Sequence, residues 1–208
     1  MKSNKTQYLT CFTMLLVLEI VLVISPLGYI QLGPISVTTM HIPVIIGGIV
    51  LGKKCGAGLG FVFGLTSMLN ATMRPNITSF LFTPFVTIGG IQGNWSSLFI
   101  AFVPRILIGF LAGLVFEHLS KRNFNKNLSI TISAVVGTLT NTFLVLGSIY
   151  LFYGSTYASV LKIAYNTLIA FLMGIIATNG IAEVILAVVV CCAVVRAILP
   201  ITNNLKTD

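Results

Sequence analysis

The sequence predicts an all-α membrane protein with six transmembrane helices, and three observations lead to this class. Hydrophobic residues make up 56% of the 208-residue chain, whereas charged residues make up only 8%. A soluble domain carries about 25% charged residues, so the expected solvent of this chain is the lipid bilayer. The apolar residues also fall into long runs, and the basic residues cluster between these runs.

An apolar run needs roughly 17–25 residues to cross a bilayer. We expect a single integral membrane domain over residues 1–208, with spans near 8–27, 36–52, 55–72, 96–118, 128–152 and 178–199. The second and third spans are short and are joined by a tight hairpin. The first run is interpreted as a span because no small-residue cleavage motif of a signal peptide follows it.

The stretch at 156–174 is the remaining candidate for a span. Polar residues such as Lys162 and Asn166 dilute it. We therefore expect a helix that lies at the membrane interface or caps a site, because a seventh span would put the C-terminus outside.

The distribution of basic residues predicts the orientation. With six spans, one side receives nine of them, namely Lys2, Lys5, Lys53, Lys54, Lys121, Arg122, Lys126, Arg196 and Lys206. The other side receives two, Arg74 and Lys162. Because cytoplasmic loops carry the excess of Lys and Arg, both termini are expected in the cytoplasm and the loop 73–94 outside. The net charge of +8 is thereby explained without nucleic acid as a partner.

The segment Gly47–Lys54, "GGIVLGKK", imitates the G-x-x-x-x-G-K of a P-loop. A P-loop follows a strand and ends with Ser or Thr, whose hydroxyl holds magnesium. Here Lys54 stands in that place, and the glycines belong to a membrane helix. No nucleotide site is therefore expected, and any ATP that drives transport would be hydrolysed by another subunit.

Glycines recur every four residues through this region. They are Gly48, Gly52, Gly56, Gly60 and Gly64. Small residues at this spacing form a smooth helix face on which another backbone can approach closely. Two interpretations remain open, namely packing among the helices of this chain and docking of a partner subunit.

Arg105 is the most informative polar residue, because it lies well inside the fourth span. A charge at membrane depth is expensive and must be paired or hydrated. It either grips an anionic group of a ligand through a forked contact or forms an ion pair with Glu19 or Glu183. Asn141, in the middle of the fifth span with Thr138 nearby, is interpreted as a ligand contact or as an interhelical hydrogen bond.

Other polar and aromatic residues are further candidates for substrate contacts. His41 opens the second span as a lid over a cavity or as an interfacial residue. Phe82, Asn94 and Trp95 lie in the outer loop, whose aromatic residues either close over a small molecule or form an aromatic belt. The four cysteines show no spacing typical of zinc, so we expect no metal, no cofactor and no catalytic residue.

Four segments together resemble the S component of an energy-coupling factor (ECF) transporter. They are "HIPVIIGGIVLGKKCGAGLGFVFGLTSML", "SFLFTPF", "VPRILIGFLAGLVF" and "GTLTNTFLVLGSIYLF". The resemblance runs from about the second span to the C-terminus and is closest to the pantothenate-specific type.

This resemblance implies a six-helix, vitamin-binding membrane protein in the bacterial plasma membrane, with its site near the outer face. It implies that a transmembrane coupling protein and two cytosolic ATPases are the partners. It also implies that Arg105 and Asn141 contact the ligand, for which pantothenate offers a carboxylate, an amide and hydroxyls. Riboflavin, folate and cobalamin S components share the architecture and remain alternatives. A small membrane enzyme or a scaffold is a more remote one.

Overall fold

The computed structural model describes residues 2–25, 28–32 and 35–202. Most of these residues are helical. In chain order the elements are α1 (Lys2–Ile24), β1 (Tyr29–Leu32), β2 (Ile35–Thr38), α2 (His41–Leu51), α3 (Lys53–Met73), a 3-10 turn (Ser79–Leu81), β3 (Thr87–Ile88), β4 (Ile91–Gln92), α4 (Trp95–Lys121), α5 (Lys126–Leu161), α6 (Tyr165–Ile175), a π turn (Ile176–Gly180) and α7 (Ile181–Thr202).

Five helical segments are long and apolar enough to cross a membrane. They are Lys5–Ile24, Lys53–Met73, Trp95–Lys121, Lys126–Leu161 and Tyr165–Leu199. The apolar α2 packs among them as a sixth, shorter helix. The predicted all-α membrane bundle is therefore confirmed.

The second predicted span begins later than expected. Residues 35–38 form β2, which pairs antiparallel with β1 in the register Tyr29–Thr38 to Leu32–Ile35. The error arose because Ile35 and Val37 are apolar and were counted with the following apolar run, but β-branched residues also favour strands. The remaining helix has 11 residues, all buried, and at 1.5 Å per residue it is only about 16 Å long. It is thus a short helix that lies buried in the interior of the bundle.

The separate interfacial helix predicted over 156–174 is wrong. Its first residues complete α5, which ends at Leu161, and its later residues form α6. Without interruption α6 continues through the π turn into α7, so that Tyr165–Leu199 is one helical segment of 35 residues. Because Lys162 ends α5 in a left-handed conformation, the reversal takes only a short loop and adds no seventh crossing.

The glycine stripe packs against α4 of the same chain. A Cβ at Gly56 would lie 2.5 Å from the Gly109 carbonyl oxygen, and one at Gly64 would lie 2.8 Å from that of Ala101. Gly48 and Gly60 meet the α4 backbone in the same way. Their surface is therefore occupied within this chain, and the interpretation of these glycines as a partner-docking face is wrong.

Gly52 differs from the other members of the stripe. Its φ of +99° turns the chain between α2 and α3, a conformation that favours glycine because it has no Cβ. The Lys53 ammonium then forms a 3.1 Å salt bridge with Glu117 of α4, which fastens this end of the hairpin.

The opposite end of the bundle is capped by the segment between α3 and α4. Here β3 and β4 form a small hairpin around Gly89 and Gly90, both with positive φ. A cluster of buried residues that includes Phe80, Ile100 and Tyr153 supports the cap. A second and larger cluster, which contains Ile108, fills the rest of the bundle. Arg105 lies on α4 between Ile100 and Ile108, and therefore between the two apolar clusters.

Candidate functional site

A cavity of about 670 Å³ opens at the capped end of the bundle. Residues of α3, α4, α5, the π turn and α7 line it, together with the segments that follow α1 and α3. Its size is in the range of small-molecule sites. The charged residues in its lining are Arg74, Arg105 and Glu183. Two cations against one acid give a potential that favours an anionic ligand.

Arg105 is only 6% exposed and presents its side chain to this cavity. The preceding residue explains how a guanidinium is held at this depth. Pro104 lies inside α4 and has no N–H, so the helix cannot supply the usual i→i−4 hydrogen bond to Ile100. Arg105 Nη1 donates to the Ile100 carbonyl oxygen at 2.6 Å. The side chain thus satisfies the backbone group that the proline left open.

Two aromatic rings flank the same guanidinium. Arg105 Cζ lies 5.5 Å from the ring centroid of Phe63 and 5.2 Å from that of Phe82. A cation over an aromatic face is stabilised by the ring quadrupole, and both rings also line the cavity. A guanidinium has five N–H donors, and the contact with the Ile100 carbonyl uses the Nη1 group.

We predict that Pro104→Ala has opposite effects on stability and ligand affinity. The new N–H competes with Arg105 for the Ile100 carbonyl, which frees the guanidinium. Proline inside a helix costs about 3 kcal/mol, so the melting temperature in detergent should rise. The hydrogen bond that positions Arg105 contributes about 1 kcal/mol net, so its loss should lower the affinity for the ligand about fivefold. Calorimetry and thermal unfolding measure the two quantities.

Pro43→Ala is the matched control for this prediction. Pro43 lies in the first turn of α2, where a backbone N–H has no intrahelical partner. Its replacement should leave affinity unchanged. If Pro104→Ala also binds like the wild type, Pro104 does not position Arg105.

Asn141 of α5 lines the cavity, and its buried amide oxygen accepts no hydrogen bond from any described residue. A buried unpaired carbonyl oxygen costs about 1–3 kcal/mol, which a donor on a ligand would recover. Thr138 lies one turn away and is fully buried. Thr138 does not line the cavity, whereas Thr142 does. The two are linked, because the Thr142 hydroxyl donates a hydrogen bond to the Thr138 backbone oxygen.

The π turn forms another part of the cavity wall. A π turn inserts an extra residue into a helix and is frequent at functional sites. Asn179, Gly180 and Glu183 of this region line the cavity. Glu183 Oε1 accepts hydrogen bonds from the Thr38 N–H at 2.9 Å and from the Thr38 hydroxyl at 3.1 Å. This carboxylate is therefore engaged by the hairpin that follows α1.

Besides Thr138, three more predicted contact residues lie outside the cavity lining of the described chain. His41 is fully buried at the start of α2, so it is neither a lid nor an interfacial residue. Asn94 caps α4 by accepting from the Ser96 N–H at 2.8 Å, and its amide oxygen also accepts from the Tyr153 hydroxyl at 2.6 Å. Trp95 is 85% exposed in the first turn of α4.

Glu19 is ruled out as the hydrogen-bonding partner of Arg105. It is fully buried, and neither of its carboxylate oxygens accepts a hydrogen bond from a described residue.

Three residues of the cavity lining, Phe63, Asn179 and Glu183, were not predicted from the sequence as ligand contacts. For Glu183 the signal was present, because an acid in an apolar run is a candidate functional residue. Phe63 carried no comparable signal.

The chain is similar to known transport proteins. The family model described as "ECF transporter, substrate-specific component" matches residues 7–195. A pantothenic acid transporter PanT of Lactococcus lactis subsp. cremoris (strain MG1363) is 45% identical over 172 residues, which are 82% of each chain. A pantothenate transporter PanT of Leuconostoc mesenteroides subsp. mesenteroides is 29% identical over an alignment of 211 positions, which covers 98% of each chain.

Proposed function

The chain belongs to the family of substrate-specific components of ECF transporters, and on this premise we propose that it captures pantothenate from the outer side of the plasma membrane. Members of this family are components of transporters and are not enzymes. The two similar transporters named for pantothenate support this choice of vitamin.

The observation that carries the proposal is the buried Arg105 in an open cavity. Its guanidinium grips the pantothenate carboxylate, and charge-assisted forked contacts of this kind are both strong and directional. The unpaired amide oxygen of Asn141 accepts from a hydroxyl or amide N–H of the ligand. Phe82, which also lines the cavity, packs against its gem-dimethyl group.

Delivery into the cell requires partners that hydrolyse ATP. The chain works with a transmembrane coupling protein and two cytosolic ATPases. Both termini lie in the cytoplasm, with the cavity mouth outside. The cluster of basic residues near Lys53, Lys121 and Arg196 supports this orientation, because positive charge accumulates on the cytoplasmic side.

Calorimetry on the purified chain tests the choice of vitamin. We expect heat from pantothenate in the absence of ATP and of any partner, because the cavity lies within this one chain. Riboflavin is the control ligand, since it lacks a carboxylate for Arg105. Heat from riboflavin alone would contradict the proposal, as would the absence of heat from pantothenate.

A further inference from the structure

We propose that Arg74 is an electrostatic capture residue, that is, a cation at the cavity mouth that attracts an anionic ligand from solution and raises its association rate. It does not hold the ligand once the ligand has reached Arg105. The inference rests on the proposed function for the negative charge of the ligand. It goes beyond that function because it assigns the rate of binding, and not the affinity of the deep site, to a second arginine.

Arg74 lies where α3 ends. Its backbone N–H donates to the Asn70 carbonyl oxygen at 2.9 Å, which anchors its backbone to the last turn of the helix. The residue is exposed to solvent and also belongs to the cavity lining. A lining residue that is exposed lies where the cavity meets the solvent. Arg74 therefore marks the mouth of the cavity.

The two arginines of the cavity lining lie at different depths. Arg105 is 6% exposed and is flanked by two aromatic rings, whereas Arg74 is in contact with solvent. An ion pair on an exposed surface is worth little, but an exposed charge still acts on a ligand in solution. Charges at the rim of a site change the association rate and its salt dependence, whereas buried charge pairs change the dissociation rate. The geometry therefore divides the two rates between the two arginines.

Arg74 forms no salt bridge with a described residue. The acid of the cavity lining, Glu183, is 7% exposed and already accepts two hydrogen bonds. The chain contains three other acids, namely Glu19, Glu117 and Asp208. Glu19 is fully buried, Glu117 forms a salt bridge at the other end of the bundle, and Asp208 lies outside the described residues. The electrostatic potential at the mouth is therefore set mainly by Arg74, and it is positive.

Arg74→Gln tests this role, with the two rate constants for pantothenate measured by surface plasmon resonance on the captured chain in nonionic detergent. At about 0.01 M salt the Debye length is about 30 Å. A unit charge within about 4–8 Å of the path of an ion in water changes the local concentration of that ion about two- to fivefold. We therefore expect Arg74→Gln to associate about two- to fivefold more slowly, with an unchanged dissociation rate. Arg74→Lys keeps the charge and should associate at the wild-type rate.

Salt and the charge of the ligand provide two controls. At about 1 M salt, where the Debye length is about 3 Å, the wild type and Arg74→Gln should associate at the same rate. The primary amide of pantothenate is neutral, so at low salt its association should be equally fast in both proteins. A slower association of the amide in Arg74→Gln would mean that the variant alters the shape of the mouth, which overturns the proposal.

Arg122→Gln is the matched control variant. Arg122 is an exposed arginine at which α4 ends, as Arg74 is for α3. It lies at the other end of the 27-residue α4, about 40 Å away along that helix, and its replacement should leave both rate constants unchanged. The proposal is overturned, and the proposed function stands, if Arg74→Gln has wild-type rates at low salt, if it changes dissociation alone, or if Arg74→Lys is as slow as Arg74→Gln. The absence of pantothenate binding by the wild-type chain would overturn both.

Discussion

Arg105→Lys is expected to weaken pantothenate binding by about 10- to 100-fold while the protein remains folded. Lysine keeps the positive charge but loses the planar fork that matches a carboxylate. A hydrogen bond to a charged group is worth about 1.5–3 kcal/mol, which gives this range of affinity loss. The variant also loses the ideal geometry of the 2.6 Å contact with Ile100, so a small decrease in melting temperature is expected. Calorimetry and thermal unfolding in detergent separate the two effects.

Arg196→Lys is the matched control for this prediction. Arg196 lies near the end of α7 and donates to the Asn127 side chain at 2.6 Å, outside the cavity lining. The same chemical change there should leave affinity unaltered. If Arg105→Lys lowers the melting temperature as its main effect and binds pantothenate as well as the wild type, Arg105 is a structural residue.

Gly60→Ala is expected to destabilise the bundle by about 1–3 kcal/mol, which is the usual cost of overpacking. The added methyl group would overlap the Arg105 carbonyl oxygen and lie 2.8 Å from Ile106 Cα. Backbone atoms cannot rotate away as a flexible side chain can, so α3 must separate from α4. Because the displaced backbone carries Arg105, affinity for pantothenate should decrease together with the melting temperature.

Gly58→Ala, on the same helix, is expected to have the opposite effect on stability. A Cβ at Gly58 meets only Phe12, at 3.9 Å, and alanine is about 1 kcal/mol more favourable than glycine inside a helix. This variant should therefore be as stable as the wild type or more stable. Equal melting temperatures for Gly58→Ala and Gly60→Ala would show that the contact between α3 and α4 is looser than described.

The bundle and the central residue of the site were predictable from the sequence for the same reason. Hydrocarbon tolerates few charges, so apolar runs mark the helices and a charge within a run stands out. Arg105 was identified in this way, and the structure places it in the cavity lining. Asn141 was singled out by the same logic. Its unpaired amide oxygen could be recognised only once its neighbours were known.

Features that depend on distant parts of the chain were not predictable. The four residues "ISVT" at 35–38 are too few to show a helical or a strand periodicity. Their conformation depends on the pairing with β1 and on the contact with Glu183, which are distant in the sequence. The face of the glycine stripe depends on which helix covers it, and this helix is α4 of the same chain. Asn94 and Trp95 looked like binding residues because of their types, but the first turn of α4 uses Asn94 as its cap.

The most direct test of the account compares pantothenate with its primary amide on the wild-type chain by calorimetry. The two ligands differ only in the negative charge that Arg105 is proposed to bind. We predict that the amide binds about 10- to 100-fold more weakly than pantothenate, and that Arg105→Lys reduces this difference. Equal affinities of acid and amide for the wild-type protein would contradict the carboxylate grip, whatever the behaviour of the variants.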